Sequence, residues 1–358
     1  MASHHSSTNN SSGQRVINSR IGGLDLLRAV MSIFVVIGHM RGGGTSLIFS
    51  PGGYKNHTVT FSDFVNFHLL LLAVPTFFLI SNYLFAAKKP DFRYFVRFLA
   101  RIFVLLVFWT GLLLLYWNGV YGFLQNAPKT IPGLIVTVLT AGNTQYWFFI
   151  SLILCLSVTY ISLRLHTVTV FLLFLLSSVF LAFMPYITML MIFYPLSAYW
   201  NPLNFVPFSF SAILLVRFGE VVSVRRAIIA LTALFLAVLF SFFEWQFYKD
   251  DIFFPGQGSA IPAYTRGSLL FSALAIFVLA ISSKVRTNNA VYYLSKHSLA
   301  LYCLHPFFMV PALSWGVILL GAGKLSQYLS IALVILCCYG LSSLYGVFIK
   351  NRIFNRIF

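Results

Sequence analysis

The chain is poor in charge and poorer in acid. Of its 358 residues 9% are Asp, Glu, Lys or Arg, and only seven are acidic. Globular domains carry about 25% charged residues, and a single core of this length could not hide so much apolar surface without lipid around it. Most soluble folds are thereby excluded. Cysteine is also scarce: Cys155, Cys303, Cys337 and Cys338 all fall inside apolar runs. There they read as small hydrophobes and point to neither a disulfide framework nor a metal site. Polar, low-complexity sequence is confined to residues 1–20, a Ser/Asn-rich leader expected to be unfolded. No small-residue cleavage site follows the apolar run at 24–37, so a cleaved signal peptide is not expected.

What is present is apolar and aromatic: 59% of residues are hydrophobic and 18% aromatic, with mean hydropathy +0.88. The composition predicts an all-α polytopic membrane protein. Apolar runs of about 20 residues, the length that crosses a bilayer, begin near Ile21, Asp63, Val96, Gln145, Thr167, Pro202, Ala227, Pro262, Leu294 and Ser326. Ten transmembrane helices are expected, in one membrane domain over 21–350 with a basic tail at 351–358. A shorter run at 131–141, between Pro132 and Gly142, suits an interfacial or re-entrant piece. No internal repeat divides the chain.

A net charge of +17 would suggest nucleic acid in a soluble protein, but its distribution argues otherwise. Of the 24 Lys and Arg, fifteen fall in the loops on the side of the termini and five on the other, with Arg28, Arg101, Arg266 and Lys296 inside spans. That is the positive-inside pattern. It places both termini in the cytoplasm and names the lipid bilayer, rather than nucleic acid, as the partner.

Ionisable residues inside a membrane are costly and mark function by default. The first span carries Arg28 and His39, eleven residues apart. Three helical turns put them on one face with an axial separation of roughly 16 Å, the first near the cytoplasm and the second near the far surface. Asp25, three residues before Arg28, can pair with it. After the second span come Lys88, Lys89, Arg93, Arg97 and Arg101. These five cations read either as a patch on anionic lipid or as a phosphate site, with Arg97 and Arg101 converging at i, i+4. His305 lies mid-span before Pro306, so the bundle holds a second group able to titrate near neutrality. Trp117, Trp147, Trp200, Trp245 and Trp315 fall at the non-cytoplasmic ends of spans. They serve either as membrane anchors or as flat platforms for sugar rings.

With these residues the chain resembles the acyltransferase-3 family of membrane acyltransferases. The first span carries an Arg and, eleven residues on, a His, within Leu-Asp-Leu-Leu-Arg-Ala-Val at 24–30. The segment 74–84 is similar to the family's second-span string, although Asn82 stands where a Gly is usual. The Gln-Tyr-Trp-Phe-Phe of 145–149, Phe218-Gly219, and the Ser-to-His string of 295–305 resemble further family motifs in the family's order. Within the family the likeness is greatest to enzymes that O-acetylate bacterial cell-surface polysaccharides, the enterobacterial common antigen type.

The resemblance implies transfer of an acyl group, usually acetyl from cytoplasmic acetyl-CoA, to a sugar hydroxyl of a cell-surface or lipid-linked polysaccharide across a bacterial inner membrane. Acetyl-CoA would be a co-substrate, and no metal is implied. His39 would act as the base, since an imidazole is matched to neutral pH, with Arg28 at the mouth of the path and Lys88, Lys89, Arg93, Arg97 and Arg101 on the donor. His305, Tyr83, Ser81 and Gln145 are candidates for the oxyanion donor, and Trp147 and Trp245 for the acceptor. A carboxylate supporting His39 would be Asp63 or Glu244, because Asp25 is roughly 21 Å away along the helix. A transporter or flippase of a lipid-linked saccharide would use the same polar track and is the competing expectation.

Overall fold

The computed structural model describes residues 21–40, 60–126, 129–139, 141, 144–191, 198–218, 223–248 and 263–348. The leader 1–20, the tail 351–358, Gly219 and the side chain of Trp245 lie outside the described residues. Among the described residues every regular element is helical. In chain order they are α1 (Gly22–His39), α2 (Phe61–Ala87), α3 (Phe92–Asn126), α4 (Ile131–Leu139), α5 (Trp147–Ser162), α6 (Thr167–Met191), α7 (Val206–Arg217, entered through a 3-10 turn at Pro202–Phe205), α8 (Ser223–Tyr248), α9 (Gly267–Ser282), α10 (Asn289–Lys296), α11 (Ser298–Leu320) and α12 (Lys324–Phe348).

Seven of these, α1, α2, α3, α6, α8, α11 and α12, are long and apolar enough to cross a membrane. At the other three positions where the sequence predicts a span stand shorter apolar helices, Trp147–Ser162, Pro202–Arg217 and Gly267–Ser282. Sixteen residues of helix extend only about 24 Å, less than the roughly 30 Å hydrocarbon layer. The run predicted to start at Leu294 is two helices: α10 ends at Lys296, and α11 starts at Ser298. Its amphipathic first part is capped by Asn288, whose Oδ1 accepts from Val291 N at 2.8 Å, and so forms its own short element. The run at 131–141 contains the nine-residue α4.

Local chemistry sets the other irregularities. A capping box opens α2, with the Asp63 carboxylate accepting from Thr60 N and Oγ1, both at 2.8 Å. The helix then passes through a π turn at Val65–Leu69 and a 3-10 turn at Leu70–Leu72. Gly119, at φ +65°, breaks α3. Within α11, Pro311 has no N–H to give the carbonyl of Phe307, and the Tyr116 hydroxyl donates to that carbonyl instead, at 3.2 Å.

Helix α1 lies in the middle, packed on α2, α9, α10, α11 and α12. Its start touches backbone: a Cβ on Gly23 would lie 1.9 Å from the Ala280 carbonyl oxygen, and one on Gly22 2.1 Å from that of Val285. No side chain larger than hydrogen fits there. Close approach through small residues is how helices pack where lipid replaces water. Polar ties add to it. Asn82 Nδ2 donates to Phe78 O at 2.7 Å, and its Oδ1 accepts from Thr159 Oγ1 at 2.7 Å, joining α2 to α5. Arg217 donates to the carbonyls of Leu163 and Leu165 at 3.0 and 2.8 Å, closing the C-terminal end of α5. Outward faces are apolar, as on α8 with Leu231, Leu234, Phe235, Val238 and Phe242 exposed.

Candidate active site

Helix α1 presents His39 in its last turn, and α11 presents His305 from the opposite wall. The two imidazoles meet: His39 Nδ1 lies 2.8 Å from His305 Nε2, with ring planes 7° apart and centroids 4.9 Å apart. The nitrogens are closer than the roughly 3.5 Å at which ring faces touch, so the rings join edge to edge through a hydrogen bond. His305 is wholly buried, and its Nδ1 lies 3.2 Å from the carbonyl oxygen of Leu301, one turn back on its own helix. His39 has an exposed side. The partner expected to be a carboxylate is therefore an imidazole. Asp63 caps α2, while Glu244 pairs with Arg266.

A cavity of about 500 Å³ opens below this pair. Arg28, Arg101 and Lys296 supply cations to its wall, and Ser81, Ser295 and Ser298 supply hydroxyls. Its apolar wall includes Val35, Leu105, Phe149 and Leu152. Val35 is one helical turn before His39, and Tyr302, which also lines the cavity, sets its ring centroid 6.0 Å from that of His305. Along α1 the lining thus includes Arg28 and Val35, while His39, one turn beyond Val35, and His305 are not part of it. Arg28 and His39 share a face of α1, as the spacing predicts. Asp25 accepts from Ser295 Oγ at 2.9 Å and Thr287 Oγ1 at 3.3 Å.

The cavity divides the basic cluster. Arg101 lines it, whereas Lys88, Lys89, Arg93 and Arg97 are exposed and do not. Arg97 Nε turns back to the Arg93 carbonyl at 3.2 Å, and Lys88 Nζ donates to the Tyr94 hydroxyl at 3.2 Å. Lys296, seen in the sequence only as a charge inside a span, lines the same cavity as Arg28. An intramembrane cation with no loop to explain it was the signal that could have found it. Ser81 lines the cavity. Tyr83 does not, and its ring meets Phe277 edge-on.

Gln145 is not part of the lining but bonds to Tyr302, which is. Its backbone carbonyl accepts from the Tyr302 hydroxyl, its side-chain Oε1 is buried without a donor among the described residues, and the next residue, Tyr146, donates to Cys303 O at 2.6 Å. These two crossed tyrosine bonds pin the segment before α5 against α11. Trp147 is buried, with Tyr199, Phe205 and Tyr264 around its ring.

A second polar cluster, not legible in the sequence, lies apart from the cavity lining. Arg266 is fully buried. It donates to Glu244 at 2.9 Å and to the Phe67 carbonyl in the π turn, and its second terminal nitrogen lies 3.5 Å from His68 Nδ1. A guanidinium only donates, so His68 carries its proton on Nε2 and donates to Ser272 Oγ at 3.0 Å. Ser272 is an acceptor there, and the pair is a tie between α2 and α9 rather than a nucleophile with its base.

The match with known families is decisive. Residues 21–352 match the acyltransferase-3 family model, described as an acyltransferase domain. The chain belongs to the acyltransferase-3 family. No curated protein and no solved structure matches it. This family member is a membrane acyltransferase, and the histidine pair with the nearby cationic cavity is its candidate active site.

Proposed function

We propose that this acyltransferase takes an acetyl group from cytoplasmic acetyl-CoA and transfers it to a sugar hydroxyl of a cell-surface or lipid-linked polysaccharide presented on the other side of a bacterial inner membrane. The observation that carries the reading is the cavity lined by Arg28, Arg101 and Lys296 and by Val35, one helical turn before His39. Three cations suit the phosphates of a CoA-type donor, and the apolar part of the wall suits its uncharged arm. The positive-inside tally supports cytoplasmic termini, with that mouth on the side where acetyl-CoA is found.

The chemistry runs in one line. As the alcohol oxygen attacks the thioester carbonyl, His39 accepts the hydroxyl proton. The tetrahedral intermediate collapses with breakage of the carbon–sulfur bond, and the thiolate leaves with the proton held by His39. Ser81 is an oxyanion candidate that lines the cavity, and Gln145, whose carbonyl accepts from Tyr302 of that lining, is another. Purified protein in nanodiscs, given acetyl-CoA and a polysaccharide acceptor, should release free CoA in a manner that depends on His39. Movement of a lipid-linked saccharide without consumption of acetyl-CoA would overturn the reading and favour a transporter.

A further inference from the structure

The proton positions on the histidine pair follow from what each nitrogen faces. His305 Nδ1 points at the Leu301 carbonyl oxygen, 3.2 Å away, and a carbonyl can only accept. Nδ1 of His305 therefore carries hydrogen. A neutral imidazole has one N–H, so His305 Nε2 holds a lone pair. Its partner at 2.8 Å, His39 Nδ1, must then be the donor, and a neutral His39 is left with its lone pair on Nε2. A protonated His305 would reverse this order. That form would place a full charge at a position with 0% exposure, with no described carboxylate bonded to either ring, and an isolated buried charge is costly.

We infer that His305 is a positioning residue for the acyl transfer: the chain from the Leu301 carbonyl through His305 to His39 fixes the tautomer of His39, so that Nε2 is the nitrogen that takes the proton. This rests on the reading of His39 as the base. When His39 Nε2 accepts the alcohol proton, its Nδ1–H stays bonded to His305, which stabilises the imidazolium until the thiolate removes the proton. His305 spends its single N–H on Leu301 and so has none for an oxyanion. The role matches that of a carboxylate behind a catalytic histidine, carried out by a neutral group.

The test combines ¹⁵N NMR of histidine-labelled protein in nanodiscs with CoA release from acetyl-CoA. The His39 signals are assigned by their loss in His39→Ala. Wild-type protein is expected to show His39 protonated on Nδ1. His305→Leu should give a mixture of tautomers and lower kcat about 10- to 100-fold at unchanged KM for acetyl-CoA. His305→Gln, whose side-chain oxygen can accept from Nδ1–H, should recover the single tautomer and most of kcat.

A wild-type His39 protonated on Nε2 overturns the proposal even if the leucine variant fails to fold. So does an unchanged kcat in His305→Leu, or a glutamine variant no better than the leucine one. Full CoA release by His39→Ala would instead overturn the base reading. The wild-type spectrum would still decide the order of hydrogen bonds.

Discussion

Removing the imidazole of His39 leaves the attacking hydroxyl without a proton acceptor, so His39→Ala should lower CoA release about 10²- to 10⁴-fold. The membrane-inserted fold should persist, because His39 is at the exposed end of its helix. Size-exclusion behaviour and acetyl-CoA affinity check the second half. Arg28→Ala acts on the donor instead. Loss of one charge-assisted hydrogen bond of about 1.5–3 kcal/mol should raise KM for acetyl-CoA roughly 10- to 100-fold, with a smaller effect on kcat. Arg101→Ala and Lys296→Ala should follow it, since both side chains line the same cavity. Arg93→Ala should shift KM far less, because its side chain lies outside the cavity lining. Equal effects at positions 93 and 101 would show the donor binding across the exposed patch.

At the scale of elements, the ties between helices set stability. Glu244 is 11% exposed and Arg266 0%, so Glu244→Ala strands a buried guanidinium, a change that costs about 3–5 kcal/mol. A fall in the thermal midpoint, together with release of the π turn at Val65–Leu69, is the expected result. Asn82→Gly, which restores the residue usual in the family, removes the bond from Thr159 that joins α2 to α5 and the one Asn82 gives to Phe78 O within α2. It should destabilise by about 1–3 kcal/mol, measured by the same melt.

Elements of this kind were only partly legible. The apolar runs revealed where α1, α6 and α12 begin, because a long hydrophobic stretch allows no other structure in lipid. The cap at Asn288 that splits α10 from α11, the π turn in α2 and the short lengths of α5, α7 and α9 depend on hydrogen bonds that composition does not encode. At the site, Arg28 and His39 were readable because they share one helix and its period fixes their common face. His305 beside His39, Lys296 in the same cavity wall as Arg28 and the Arg266 network each join residues far apart in the chain. No periodicity connects them.

For the molecule as a whole, the proposed donor site among Arg28, Arg101 and Lys296 predicts a directional reaction. Acetyl-CoA, which does not cross lipid, should support transfer only when supplied to the face that carries Arg28, Arg101 and Lys296. Sealed vesicles of the two orientations, with donor added outside, check this: activity in only one orientation is expected. Equal activity in both would show that the donor enters elsewhere.

Helix α1 is held at both ends by contacts that allow no slippage. Gly23 rests against backbone at its start, and an imidazole bond on α11 fastens its finish. The stretch between them therefore works as a ruler. One inserted residue would swing His39 about 100° round the axis and lift it about 1.5 Å, taking it out of reach of His305 while every side chain remained present. Four inserted residues would bring the ring back near its original face but raise it about 6 Å, above the cavity it serves. The count of residues from Gly23 to His39 is thereby set.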